Sequence, residues 1–442
     1  MLKRFSIYFL LSAVFPSLWL QTSPNKFVPF DGITVSASPL SPTGEWNEQA
    51  AAPARTQTGN NLQERKLTIA NTSTYATSSA SKPRRNIGRA LGKLRRGGPV
   101  TVAYLGGSVT MGIGASNAEK TSYRALVTGW LRQRFPQAEI SEINAGLATT
   151  GSLYGAMRVR RDVLAQKADL VFVEFAASDG NESIEQELAV KKAVEGLLRQ
   201  FLIVPSPPEV VMIYAPNTKK TSRAEWHDQV AAHYQVPAIN LLETAQPLIE
   251  ARKFNFAKDG VNPNDAGHKL YADAITAFLA EQEKQEASPI LRLLPSPLVS
   301  DEMNYGELKA FAEIRPPKGH ETSWKVEPSA DHALPATLLS SDKTNAQVEF
   351  YFEGTVVGIT FRASSDAGMI ECLIDGKPVA AQMGKVDAYS ASPQLSAKIF
   401  GGLSPGEHRL TVRVTGEKNS KSSGAYVRLG YLIVGGQRPE RL

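Results

Sequence analysis

The sequence predicts two successive folds: an α/β domain built on a parallel sheet with helices on both faces, then an all-β sandwich. Three observations carry this. Five short runs rich in Val, Ile and Phe, at 100–105, 139–144, 170–175, 210–214 and 236–241, read as strands buried on both faces. Helical patterns lie between them: Tyr123, Leu126, Val127, Trp130 and Leu131 recur at spacings of three and four, as do Leu153, Ala156, Met157, Arg160 and Leu164, and 265–281 supplies a closing helix. After Glu286 the text changes to strand runs punctuated by turns, with no convincing helix.

Taken in order, the chain opens with Lys3 and Arg4 and then an apolar stretch from Phe5 to Leu20. It reads as a signal peptide or a retained membrane anchor over 1–20, because sixteen residues are short for a full span and no small-residue cleavage site follows cleanly. The protein is accordingly expected outside the cytoplasm, in the periplasm, on the cell surface or secreted. Residues 21–85 are rich in Ser, Thr, Ala, Pro, Asn and Gln without periodicity, the composition of a disordered linker. Residues 86–96 could form a short basic helix ended by Gly97, Gly98 and Pro99. The α/β domain is expected over 86–285, a proline-rich connector over 286–299, and the sandwich, of jelly-roll type, over 300–442. Asp375-Gly376 marks a hairpin there, and Ser404-Pro405-Gly406 a turn leading into a strand.

Composition bounds function. An apolar share of 42% with 21% charged residues is enough for true cores. The single cysteine, Cys372, excludes an internal disulfide and reads as a small apolar residue of a strand. The net charge of +6 is uneven, since residues 1–98 hold 13 Lys and Arg against 4 Asp and Glu. Arg84, Arg85, Arg89, Lys93, Arg95 and Arg96 read as part of a solvated stalk, with contact to anionic lipid or acidic polysaccharide as the alternative. No nucleic-acid recognition motif is present.

The chemistry is concentrated in four places. The first strand run turns through Gly106 and Gly107 onto Ser108, which places a hydroxyl at the end of a buried strand, where it can meet an acyl carbon. Residues 144–151, 173–179 and 259–268 supply the other three blocks. In order and spacing these segments, over roughly 98–282, resemble the SGNH/GDSL hydrolases, the GDSL-like lipase/acylhydrolases. The resemblance implies a flavodoxin-like α/β fold, the SGNH hydrolase fold, and ester hydrolysis by a Ser-His-Asp triad needing neither metal nor organic cofactor. It puts the nucleophile at Ser108, the orienting acid at Asp259 and the base at Asn262, where the family's Asp-x-x-His-Pro pattern has histidine. Its oxyanion donors fall on the backbone of Ser108, on Thr149, with Gly146 and Gly151 near enough to leave the register open, and on Ser178, where the family has asparagine.

An amide neither takes a proton at neutral pH nor returns one to a leaving group. With Asn262 in the base's place, Ser108 stays an un-ionised alcohol, and only the residual catalysis of oxyanion hole and binding is expected, about 10³ to 10⁴ over water. His268 is near in sequence but reads as a capping or packing residue; His227 and His233, six apart on one helical run, lack a zinc spacing. Arg158, Arg160 and Arg161 read as a solvated helix face. Two functions follow: a slow ester hydrolase or acyl-transfer enzyme working on an acylated, by expectation acetylated, carbohydrate or a small ester, or a pseudoenzyme that binds an acylated glycan or a protein partner in the same crevice.

Overall fold

The structure is a computed structural model that describes residues 33–36, 84–148, 150–179, 184–217, 222–251, 262–290, 293–316, 318–379 and 384–436. The segment 1–20, most of the linker, Thr149 and Asp259 lie outside the described residues. A strand β1 (Ile33–Ser36) precedes the α/β domain. The domain then runs α1 (Gly88–Arg96), β2 (Gly98–Gly106), α2 (Ser108–Met111), α3 (Tyr123–Arg134), β3 (Ala138–Gly146), α4 (Ser152–Asp162), β4 (Leu170–Glu174) and α5 (Ile184–Ile203). It closes with β5 (Glu209–Tyr214), α6 (Ala224–His233), β6 (Ala238–Asn240), α7 (Leu241–Glu250) and α8 (Asp265–Gln282).

Its five strands are parallel in the order β3-β2-β4-β5-β6. Burial on both faces is visible along β4: Val171 and Val173 enter a core with α4, α5 and α6, whereas Leu170 and Phe172 enter a second core with α1, α3, α7 and α8. Each such side chain contributes about 1.5–3 kcal/mol by leaving water. The strand order reverses at β2, so the loops after β3 and β4 part around the carboxyl end of β2, where open α/β sheets bind ligands.

The second domain comprises β7 (Gly306–Ala310), β8 (Lys325–Pro328), β9 (Thr337–Ser341), β10 (Gln347–Glu353), β11 (Val356–Ala363), β12 (Gly368–Ile374), β13 (Lys377–Pro378), β14 (Lys385–Asp387), β15 (Gln394–Phe400), β16 (Glu407–Lys418) and β17 (Val427–Gly435). One antiparallel sheet runs β1-β15-β11-β17-β9-β8 with β7 also on β17; the other runs β10-β16-β12-β13 with β14 also on β12. Their inner faces meet through Val357, Ile359, Phe361 and Leu429 on one side and Ile370, Cys372, Leu410 and Val412 on the other. Cys372 is fully buried, which pushes its thiol up to about 12. The hairpin turn is at Asp375 and Gly376, both at positive φ.

Three expectations from sequence need correction. The linker holds β1, which pairs antiparallel with β15 from Ile33↔Ile399 to Ser36↔Ser396; Ile33, Thr34 and Val35 are β-branched, and an available sheet edge orders a run too short to show a period. The basic stretch is no stalk: Arg84 pairs with Asp228 at 2.6 Å, Arg89 with Glu209 at 3.2 Å and Lys93 with Asp169 at 2.8 Å, which holds α1 on the sheet. Nor is the face of α4 solvated throughout, although Arg160 is exposed. Arg158 is 1% exposed and ties two strand ends, donating to Ala145 O at 2.8 Å and Gly106 O at 2.9 Å; Arg160 and Arg161 lie over the rings of Tyr305 and Tyr431. This helix packs on β7 and β17, and the planar guanidinium suits both the strand carbonyls and the aromatic faces. No described helix is long and apolar enough to cross a membrane.

The connector is pinned to α5 by one carboxylate. Glu195, fully buried, accepts from the backbone N–H groups of Leu298, Val299 and Ser300 and from the Tyr234 hydroxyl at 2.6 Å. Glu195→Ala strands these donors and is expected to destabilise the chain by about 2–3 kcal/mol, read as a lower denaturant midpoint, while Glu195→Gln loses less.

Candidate active site

Gly106 ends β2 between Gly146 of β3 and Glu174 of β4, and a Cβ there would overlap Thr110 and the Glu174 carbonyl. Gly107 follows, equally crowded: a Cβ would overlap the Ser178 hydroxyl. Glycine is therefore required at 106, and at 107 it leaves room for the Ser178 hydroxyl as the chain brings Ser108 round the turn onto the first position of α2. Ser178 thus stands beside the backbone that precedes Ser108. Its own N–H goes to Phe175 O at 2.8 Å.

Asn262 is 5% exposed and lies with Pro263 against the loop that follows α2. Gly114 in that loop has φ +90°, and a Cβ there would overlap the Pro263 carbonyl and come within 3.3 Å of Asn262 Cβ. The loop is tied back to Ser108, whose carbonyl accepts from Ile113 N–H at 3.1 Å. The segment carrying Asn262 is thereby brought to the Ser108 side of the crevice. The next turn of chain reinforces it: Asp265 accepts from Ser116 N–H at 2.7 Å, Ser116 Oγ at 2.6 Å and Thr121 Oγ1 at 2.8 Å.

None of the six histidines, all described, hydrogen-bonds to Ser108. His268, fully buried, uses both nitrogens: Nδ1 accepts from Tyr123 N–H at 3.2 Å and Nε2–H donates to Ile113 O at 3.1 Å. Burial holds its pKa below the ordinary imidazole range, which suits this neutral tautomer. His227 bonds to Asp179 at 2.8 Å and His233 to Ser296 O at 2.8 Å. His320 accepts from Gln347 N–H, His408 pairs with Asp375, and His332 is exposed on the sandwich.

Two site-side groups escaped the sequence reading. One is the Asp179–His227 pair; the only signal was Asp179 following Ser178, since His227 comes from a helix 48 residues on. The other is Glu174. It is fully buried, its nearest donors are Ala177 N–H at 3.4 Å and the Thr110 hydroxyl, and desolvation raises its pKa to about 8. It therefore carries a proton at neutral pH beneath the turn that presents Ser108.

The sequence profile of the GDSL-like lipase/acylhydrolase family matches residues 104–270. Among solved structures, a two-domain esterase active on acetylated mannans, also co-crystallized with mannopentaose, is 24% identical with a TM-score of 0.69; the likeness covers 81% of this chain and 97% of that one. An acetylxylan esterase from Geobacillus stearothermophilus is 20% identical with a TM-score of 0.35, over 44% of this chain and 99% of its own. No curated protein matches. The first likeness extends the shared fold across both domains, and within it residues 104–270 match the profile of the GDSL-like lipase/acylhydrolase family.

Proposed function

We propose that this protein binds acylated, chiefly acetylated, carbohydrate outside the cytoplasm, in a crevice whose ester hydrolysis is held to a residual rate. One observation carries the reading: the base's position is occupied by buried Asn262, and no imidazole hydrogen-bonds to Ser108. A serine alcohol with no proton acceptor attacks an ester slowly, but the features that recognise an acyl group do not need one. The carbohydrate reading is supported by the two-domain likeness to an esterase active on acetylated mannans. Export rests on the Lys3-Arg4 and Phe5-to-Leu20 pattern, which would leave the protein released or tethered by its N-terminus. A second reading, a working acyl hydrolase with an unusual base, is favoured by Ser108 standing at the strand-end turn with Ser178 beside it.

Calorimetric titration with acetylated and deacetylated manno-oligosaccharides, alongside 4-nitrophenyl acetate turnover, separates the two. Acetyl-dependent binding is expected, with turnover hardly changed by Ser108→Ala. Turnover at ordinary enzymic rates that Ser108→Ala abolishes would establish the second reading instead.

A further inference from the structure

Three segments of the α/β domain converge on one buried carboxylate. Asp179, 7% exposed, lies in the loop after β4, directly following Ser178. Its Oδ1 accepts from Ser152 N–H at 2.8 Å, at the start of α4 and the end of the loop after β3. Its Oδ2 accepts from Nε2–H of His227 at 2.8 Å, on α6 and fully buried. The fit at the first contact is tight, since a Cβ on Gly151 would overlap Asp179 Oδ1. The ring of His227 stands edge-on to Tyr214, 6.3 Å between centroids, and its Nδ1 has no hydrogen-bond partner among the described residues.

The two loops held by Asp179 are those that carry Ser178 and the block at 144–151. Ser152 N–H is one of the unpaired donors of a helix start, where a carboxylate is favoured both by the hydrogen bond and by the helix dipole. A buried carboxylate needs a partner on its other oxygen, and His227 supplies it. Among the described residues no hydrogen bond joins Ser108 to this pair, whose side-chain hydrogen bonds go to Ser152 and to each other.

We infer that Asp179 and His227 are positioning residues that fix the loop after β3 against the loop after β4, and so set the shape in which an acyl carbonyl is held. This rests on the crevice being the acyl-binding site. It accounts for a polar pair built into the oxyanion side of a domain whose base position holds an amide.

The free Nδ1 makes the role separable from one in which charge or proton transfer matters. In Asp179→Asn the amide oxygen can still accept from Ser152 N–H; the imidazole can carry its proton on Nδ1 and accept the amide N–H at Nε2. His227→Gln places an amide N–H near the Nε2 position. Both variants keep the links, whereas His227→Ala breaks one. Hydrogen exchange on the full chain reads the links without any need for catalysis. His227→Ala is expected to speed exchange about tenfold or more in peptides spanning 147–156 and 175–179, the equivalent of one lost buried hydrogen bond, with His227→Gln and Asp179→Asn near the parent. If His227→Ala does not fold, Asp179→Asn/His227→Leu, which leaves no buried charge, is read in its place. Exchange unchanged in the broken variant overturns the inference.

A second arm puts the same substitutions in the Asn262→His background and follows kcat/KM for 4-nitrophenyl acetate. His227→Ala should lower it with His227→Gln restoring it. Loss of activity in Asp179→Asn with exchange intact would overturn the positioning role in favour of a charged one. If that background shows no turnover and acetylated oligosaccharides do not bind, the acyl-site reading fails while the exchange result still stands for or against the pair.

Discussion

Asn262→His is expected to raise kcat/KM for 4-nitrophenyl acetate about 10³-fold over the parent chain, with the gain abolished by adding Ser108→Ala. An imidazole with an ordinary pKa near 6.5 is about half or more unprotonated at neutral pH and can take the hydroxyl proton and return it to the leaving group. Loss of a single triad member removes most of a hydrolase's advantage, so restoring one recovers a large share wherever the rest of the scaffold is in place. Much of that scaffold is visible: glycine at 106 and 107 brings Ser108 round the turn, Gly114 makes room for the Asn262–Pro263 segment, and Asp265 and His268 clamp the intervening loop. The recovery should stop short of a full enzyme because Ser178 reaches less far than an asparagine amide, and one missing oxyanion donor costs about 10² to 10³ in rate. Adding Ser178→Asn should then raise kcat further with little change in KM. A folded Asn262→His variant with no gain would place the defect on the oxyanion side, and with it the proposed account of why turnover is low.

What the sequence made legible and what it hid divide along physical lines. The central strands were legible because each needs a continuous apolar run; β2 to β6 lie on the five expected runs, but β3, at the sheet edge, is not buried on both faces as expected, with Glu139 and Ser141 exposed. The Gly106-Gly107-Ser108 turn was legible because a turn is local. The fate of the six histidines was only partly so, since hydrogen-bond partners are set by packing: the separation of 155 residues between His268 and Ile113 leaves no trace in spacing. The Arg158 reading failed for the same reason. Its guanidinium turns inward to the carbonyls of Ala145 and Gly106, 13 and 52 residues away, contacts that no helical period announces. Glu174 was hidden by its strand, where a lone acid in an apolar run is indistinguishable from an end-of-strand residue until its neighbours are known.

Glu174 should make the stability of this protein fall as pH rises from about 4.5 to about 8. The ordinary value for its carboxyl is 4.5, which serves for the unfolded chain, and burial raises the folded value to about 8. Between these the folded state holds a proton that the unfolded state has released. The slope of unfolding free energy against pH follows protons bound unfolded minus folded, so it is negative across that window and flat on either side. The full contribution is on the order of 5 kcal/mol, present at pH 4.5 and lost by pH 8. Glu174→Gln keeps the shape and the neutral state at every pH, so the stability difference between variant and parent should open across the window, while other titrations cancel. Urea midpoints at several pH values check this, and parallel curves would sink it. Function is drawn in as well: ionised Glu174 sets a negative charge beneath the Ser108 turn and near Asp179, on the side of the crevice proposed to hold the acyl carbonyl. The Asn262→His variant is therefore expected to lose kcat above about pH 8, and Glu174→Gln to remove that alkaline limb.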